Sequence, residues 1–164
     1  MKALRLLFIR HAIAAPARAS MRDEDRPLTA EGRRKFRKTA RTLARAARKP
    51  RAILTSPHLR AVQTAAIAAR AWGELRPIVV PALAEGDWPG VCRALAPYES
   101  GDTIALVGHE NWISEITARF LGSRAHRAFE YRKGGAALID VENLEACTGA
   151  LLWFMPPRVF RRMG

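Results

Sequence analysis

The stretch Leu6-Leu7-Phe8-Ile9-Arg10-His11 decides how this chain folds. A short, unbroken apolar run of this kind reads as a buried strand. It stops at a cation and an imidazole, so the strand carries two reactive side chains to its carboxyl end. Two later segments repeat the plan: Ala52-Ile53-Leu54-Thr55 runs into Ser56-Pro57-His58-Leu59-Arg60, and Thr103-Ile104-Ala105-Leu106-Val107 runs into Gly108-His109. Each then opens a helix. Open α/β sheets bind ligands at the carboxyl ends of their strands. Arg10, His11, Arg60 and His109 are therefore the candidate site.

The intervening segments supply the helices. Thr29 is placed to N-cap a helix over 30–49, whose apolar stripe is Phe36, Ala40, Leu43, Ala44 and Ala47. Its opposite face carries Arg33, Arg37, Arg41, Arg45 and Lys49, a spacing at which like charges repel mildly. Ser56-Pro57 reads as an N-cap followed by proline at the first helical position, opening a helix that runs to Trp72. The helix after Gly108 is expected to bury Ile113, Ile116, Phe120 and Leu121 and to stop at Gly122. Further strands are expected at 78–80, 136–141 and 150–154, the last two joined by a hairpin-like return. Strands alternating with helices predict one domain over 1–164. Its expected fold class is a three-layer α/β/α arrangement around a mainly parallel, mixed sheet. The basic tail from Pro156 to Gly164 is expected to be loosely held.

Composition bounds the function. The 164 residues are 49% hydrophobic, enough for one core, and carry a net charge of +13. That charge favours anionic partners, although an arginine- and alanine-rich composition is also a compositional bias in its own right. Nucleic-acid binding is not expected: the basic stripe is interleaved with one aromatic, Phe36, which faces inward. No segment has the roughly 20 apolar residues of a membrane span. Arg5 and Arg10 interrupt the apolar run near the beginning of the sequence, which argues against a signal peptide. Cys92 and Cys147 lack metal-ligand spacing and read as reduced thiols of a cytoplasmic protein.

The four strand-end residues suit a phosphoryl group. Arg10 and Arg60 offer planar forks of donors to its oxygens. Arg60 also lies in the first turn of a helix, where free N–H groups favour an anion. His109 can add a hydrogen bond, which leaves His11 to face phosphorus as a neutral imidazole nucleophile. The two arginines are expected to lower the His11 pKa. Other chemistries fail on spacing. His109-Glu110 lacks the second histidine of a zinc protease, since Ile113 and Ser114 stand there. No glycine-rich lysine phosphate loop or nucleophile elbow occurs. Tyr98 and Trp153 stand where a cysteine phosphatase needs arginine.

These motifs resemble the histidine phosphatase superfamily, whose fold is phosphoglycerate-mutase-like. The matching residues are Arg10-His11-Ala12, Ser56-Pro57 through Arg60 with Gln63-Thr64-Ala65, and Val107-Gly108-His109. Arg26-Pro27-Leu28-Thr29 with Gly32, and Lys133-Gly134-Gly135-Ala136, make it most similar to short bacterial SixA-type phosphohistidine phosphatases. The resemblance implies a metal- and cofactor-independent phosphatase. His11 takes up the phosphoryl group, Arg10, Arg60 and His109 hold its oxygens, and water releases it. The general acid of the wider family has no clear counterpart. Glu85 and Glu110 are the candidates, and Glu110 could instead only complement a helix dipole. A phosphohistidine substrate has an imidazole leaving group and makes little demand on an acid. The short span between Ala71 and Ile104 leaves a minimal lid, so a phosphorylated protein could enter, steered to the basic helix and tail by an acidic surface. Small phosphate esters are the alternative substrates, and a catalytically dead phosphate sensor ranks below both. Of the remaining residues, Arg26 is expected to pair with Asp23 or Asp25 rather than touch the phosphate rim. Trp88 is expected to pack, Lys133 to sit in a turn, and His58 and His126 to be solvated.

Overall fold

The computed structural model describes residues 4–164. Six strands form one sheet: β1 (Leu4–Arg10), β2 (Ala52–Thr55), β3 (Ile78–Val79), β4 (Thr103–Gly108), β5 (Ala136–Asn143) and β6 (Thr148–Met155), in the order β3-β2-β4-β1-β5-β6. β1 pairs in parallel with β4, and β2 in parallel with both β4 and β3. β5 runs antiparallel to β1 and to β6.

The run Leu6 to Ile9 is wholly buried, and its alternation shows why. Leu6 and Phe8 point into one core, Leu7 and Ile9 into the other. A strand covered on both faces needs continuous apolar sequence, and burial of each of these side chains contributes roughly 2 kcal/mol. One core is closed by α1 (Ala30–Ala46) and α2 (Leu59–Ala71) through Phe36, Leu43, Ala61 and Ala65. The other is closed by α4 (Trp88–Leu95) and α5 (Trp112–Phe120) through Val91, Leu95, Ile113 and Phe120. A single turn, α3 (Ala82–Glu85), precedes α4, and these two short helices are all that stands between β3 and β4. The three-layer fold and the minimal lid are as the sequence predicts.

Three local expectations are corrected. α2 starts at Leu59 with His58 at its N-cap, not at Pro57 after a capping Ser56. The Ser56 hydroxyl is buried and lies 2.7 Å from His109 Nε2, while it also accepts from His58 N–H at 3.2 Å. The tail is not loose: α6 (Pro157–Met163) docks on α1, with Phe160 fully buried and edge-on to Trp153 at 5.7 Å. α1 ends at Ala46 rather than Lys49, and Pro50, four residues past its end, bars a helical continuation. Its Thr29 cap is as expected, accepting from Gly32 N–H at 2.9 Å.

Candidate functional site

The sheet brings Arg10, His11 and His109 together directly, because β1 and β4 are neighbours and Arg10 is in register with Gly108. The His11 backbone is fixed from both sides. Its N–H donates to Gly108 C=O at 2.9 Å, and its carbonyl accepts from Gly134 N–H at 3.1 Å. Gly134 has φ +82°, which a residue with a side chain adopts only at a cost, so the Lys133-Gly134-Gly135 turn is built to reach this carbonyl.

The motif residues after Arg60 act through hydrogen bonds. Thr64 Oγ1 accepts from Ala12 N–H at 3.0 Å and donates to Arg60 C=O at 2.7 Å. Gln63 Oε1 accepts from Leu28 N–H at 2.8 Å. The chain past His11 is thus sewn to α2 on one side and to the start of α1 on the other. There Thr29 N–H donates to Ile13 C=O at 3.0 Å. Gly32 permits this approach, since a Cβ would lie 2.2 Å from Ile13 O.

These supports settle the tautomer of His11. Its Nδ1 lies 2.8 Å from Ala12 O, and a carbonyl only accepts, so Nδ1 carries the proton and Nε2 presents its lone pair. Burial first, then the Arg60, Arg10 and Lys133 charges, hold the His11 pKa at about 4 against the opposing bond to Ala12. The ring is neutral at pH 7. The two arginines act in the expected direction, but burial is the larger cause. His109, with its ring centroid 5.2 Å from that of His11, is pushed down to about 3 by burial and then by His11, Arg60 and His58.

Arg60 is buried on α2 and donates to Asp23 C=O at 2.6 Å and to Asp23 Oδ2 at 2.9 Å. Asp23 Oδ1 pairs in turn with Arg26 at 2.8 Å, the partner expected for Arg26. Burial opposes ionisation of Asp23, but the Arg60 and Arg26 bonds and charges outweigh it and hold its carboxyl below the usual range. Arg10 donates through Nη1 to Tyr131 C=O, with Glu110 Oε2 at 3.7 Å. Glu110 also accepts from the Ser114 hydroxyl and, at 3.1 Å, from Tyr131 N–H. Both its oxygens are engaged on the Arg10 side of the site. Around this cluster, the Nε atoms of Arg10, Arg26 and Arg60 and the Nδ1 atoms of His109 and His58 are buried without a partner among the described residues. Three cationic donors with free capacity suit an oxyanion.

Glu85, at the end of α3, is exposed and lines a groove of about 770 Å³ with His58, Pro57 and Glu24. Trp88 packs in the core as expected. His58 is a correction. It is half-buried rather than solvated, and its ring centroid lies 4.7 Å from that of His109. The sequence signal for it was its place directly before the arginine-bearing helix. The side chain of His126 lies outside the described residues.

Residues 6–94 match the model of the histidine phosphatase superfamily (branch 1), and the chain belongs to that family. An uncharacterised protein of a Picosynechococcus species is 37% identical over 135 residues, covering 80% of this chain and 82% of that one. Among solved structures, the protein histidine phosphatase SixA complexed with tungstate superposes with a TM-score of 0.79 at 24% identity, covering 94% of this chain and 98% of that one. A mycobacterial glucosyl-3-phosphoglycerate phosphatase superposes at 0.73 with 17% identity, covering 94% and 100%. At such identities the two structures establish the shared phosphoglycerate-mutase-like fold.

Proposed function

We propose that the protein is a phosphatase in which His11 Nε2 accepts the phosphoryl group, and that its substrate is phosphohistidine on another protein. The observation that carries the mechanism is the His11 imidazole itself. It is tautomerically fixed through Ala12, neutral, and set near Arg10 and Arg60, each with an unused buried Nε donor. In the first step the Nε2 lone pair forms a P–N bond as the bond to the leaving group breaks. Arg10, Arg60 and His109 stabilise charge on the equatorial oxygens. In the second step water attacks phosphorus and the P–Nε2 bond breaks.

The choice of substrate rests on access and on the acid. Only α3 and α4 stand between β3 and β4, so the site is open enough for a side chain carried on a protein. Glu110 is bound up with Arg10, and an imidazole leaving group can depart without a strong acid. Similarity to SixA agrees with this reading. Similarity to a sugar-phosphate phosphatase supports the second one, a small phosphate ester. The exposed basic face of α1 (Arg37, Arg41 and Arg45) would attract an acidic protein, and a cytoplasmic setting fits such a partner. No described helix is long and apolar enough to cross a membrane.

The test uses a phosphohistidine protein and an aryl phosphate, both labelled, with an alkaline quench. An acid-labile, base-stable label on the enzyme that disappears in His11→Ala is expected. Turnover undiminished in His11→Ala refutes the mechanism. A higher kcat/KM on the aryl phosphate than on the phosphoprotein assigns the protein to small esters instead.

A further inference from the structure

We propose that His58 is a catalytic residue, the proton donor to the leaving group and afterwards the base that activates water. The proposal rests on the reading of His11 as nucleophile and extends it from P–N to P–O substrates.

The placement of His58 is the first ground. In an in-line displacement the nucleophile and the leaving group lie at opposite poles of phosphorus, with the charge-stabilising groups around its equator. His109 packs against both the His11 ring, at 5.2 Å, and the His58 ring, at 4.7 Å. His109 thus touches both rings, and in this assignment His11 stands at one pole, His109 at the equator and His58 at the other pole. His58 also lines the groove of about 770 Å³ that runs beside α3. Its backbone is held at the N-cap of α2 by the Ser56 hydroxyl at 3.2 Å, so the ring stands on a fixed base. Its Nδ1 is buried without a partner among the described residues, although imidazole nitrogens buried in a protein ordinarily have one.

The other candidates fit less well. Both oxygens of Glu110 are engaged by Tyr131, Ser114 and Arg10. Glu85 is exposed on the lid, whereas His58 packs directly on His109. Glu24, Asp25, Glu85 and Asp87 line the same groove as His58. His109 packs on the His58 ring, and Arg60, two residues further along α2, is paired with Asp23.

The proton balance closes. As the P–O bond breaks, the His58 imidazolium gives its proton to the departing oxygen and His11 Nε2 becomes phosphorylated. Neutral His58 then takes a proton from the attacking water as the P–Nε2 bond breaks. This restores the imidazolium and releases phosphate.

The experiment is a leaving-group series, from nitrophenyl phosphate to alkyl phosphates, with wild type, His58→Gln and Glu85→Gln. General acid catalysis is worth about 10²–10⁴-fold where the leaving group is poor. His58→Gln should therefore lose about 100-fold or more on alkyl esters and less than about 10-fold on the nitrophenyl ester. An equal loss across the series, or a selective loss in Glu85→Gln instead, overturns the proposal. Should His58→Gln fold poorly, the wild-type pH profile decides. The alkyl-ester rate must fall on an alkaline limb that the nitrophenyl ester lacks, and a shared profile overturns the assignment. Turnover retained by His11→Ala would be a failure of the mechanism as a whole, distinguishable from either result.

Discussion

Acidification should unfold this protein through its own active site. His11 and His109 are buried, with pKa values of about 4 and about 3, while an unfolded histidine titrates near 6.5. Both shifts are downward, so the neutral rings impose no proton-linked penalty above the ordinary histidine range. The penalty grows as pH falls from about 6.5 toward the folded values, because the unfolded chain binds protons that the native site refuses. Near pH 5 the difference approaches two protons, a slope of about 2.5 kcal/mol per pH unit. Integrated from pH 7 to pH 5, the loss is about 4 kcal/mol, a large part of the roughly 5–15 kcal/mol that keeps a domain folded. Urea denaturation at half-unit intervals measures it. Replacing both rings, as His11→Asn with His109→Asn, should flatten the profile over the same window. A wild-type loss below about 1 kcal/mol, or an equally steep profile in the double variant, would show that these rings are not the neutral, buried pair described.

Two further predictions concern the supports of the site and the docked tail. Thr64→Val removes the acceptor of the buried Ala12 N–H, at a cost of roughly 1–3 kcal/mol. That is a fall in Tm of about 2–10 °C, with a lower kcat as His11 loses its mooring; Thr64→Ser should restore both, and a silent Thr64→Val would contradict the role given to the hydroxyl. Phe160→Ala empties a fully buried position between α6 and the core and should cost about 3–5 kcal/mol in denaturant titration. A cost near zero would mean that the tail is as loose in solution as its composition suggests.

What could be read from the sequence follows the reach of each signal. The strands and the two-sided sheet were legible because each depends on residues adjacent in the chain, and so were the strand ends that set Arg10 and His11 beside His109. The Thr29 cap was legible for the same reason. His58 was not, because its environment is the ring of His109, 51 positions away, and its place directly before the arginine-bearing helix does not reveal that contact. Ser56 misled for a related reason: its hydroxyl is placed to cap α2, but His109 takes it up. The tail looked mobile because its arginines dominate the composition, whereas one residue, Phe160, decides that it docks. Glu110 could be an acid or a dipole partner by sequence; only the fold shows it held against Arg10 by Tyr131 and Ser114.

The position of β1 between β4 and β5 has a consequence for biosynthesis. Arg5 pairs with Thr103 and Leu4 with Val141, so the strand that leads into His11 leaves the ribosome about a hundred residues before either neighbour exists. A nascent chain holding only β1, α1, β2 and α2 has an arginine-histidine pair with no sheet to present it and a run of four bare apolar side chains to hide. Long-range pairings of this kind form late and slowly. The site therefore cannot assemble until β4 has been made, and for that interval the apolar first strand lacks the neighbours that bury it.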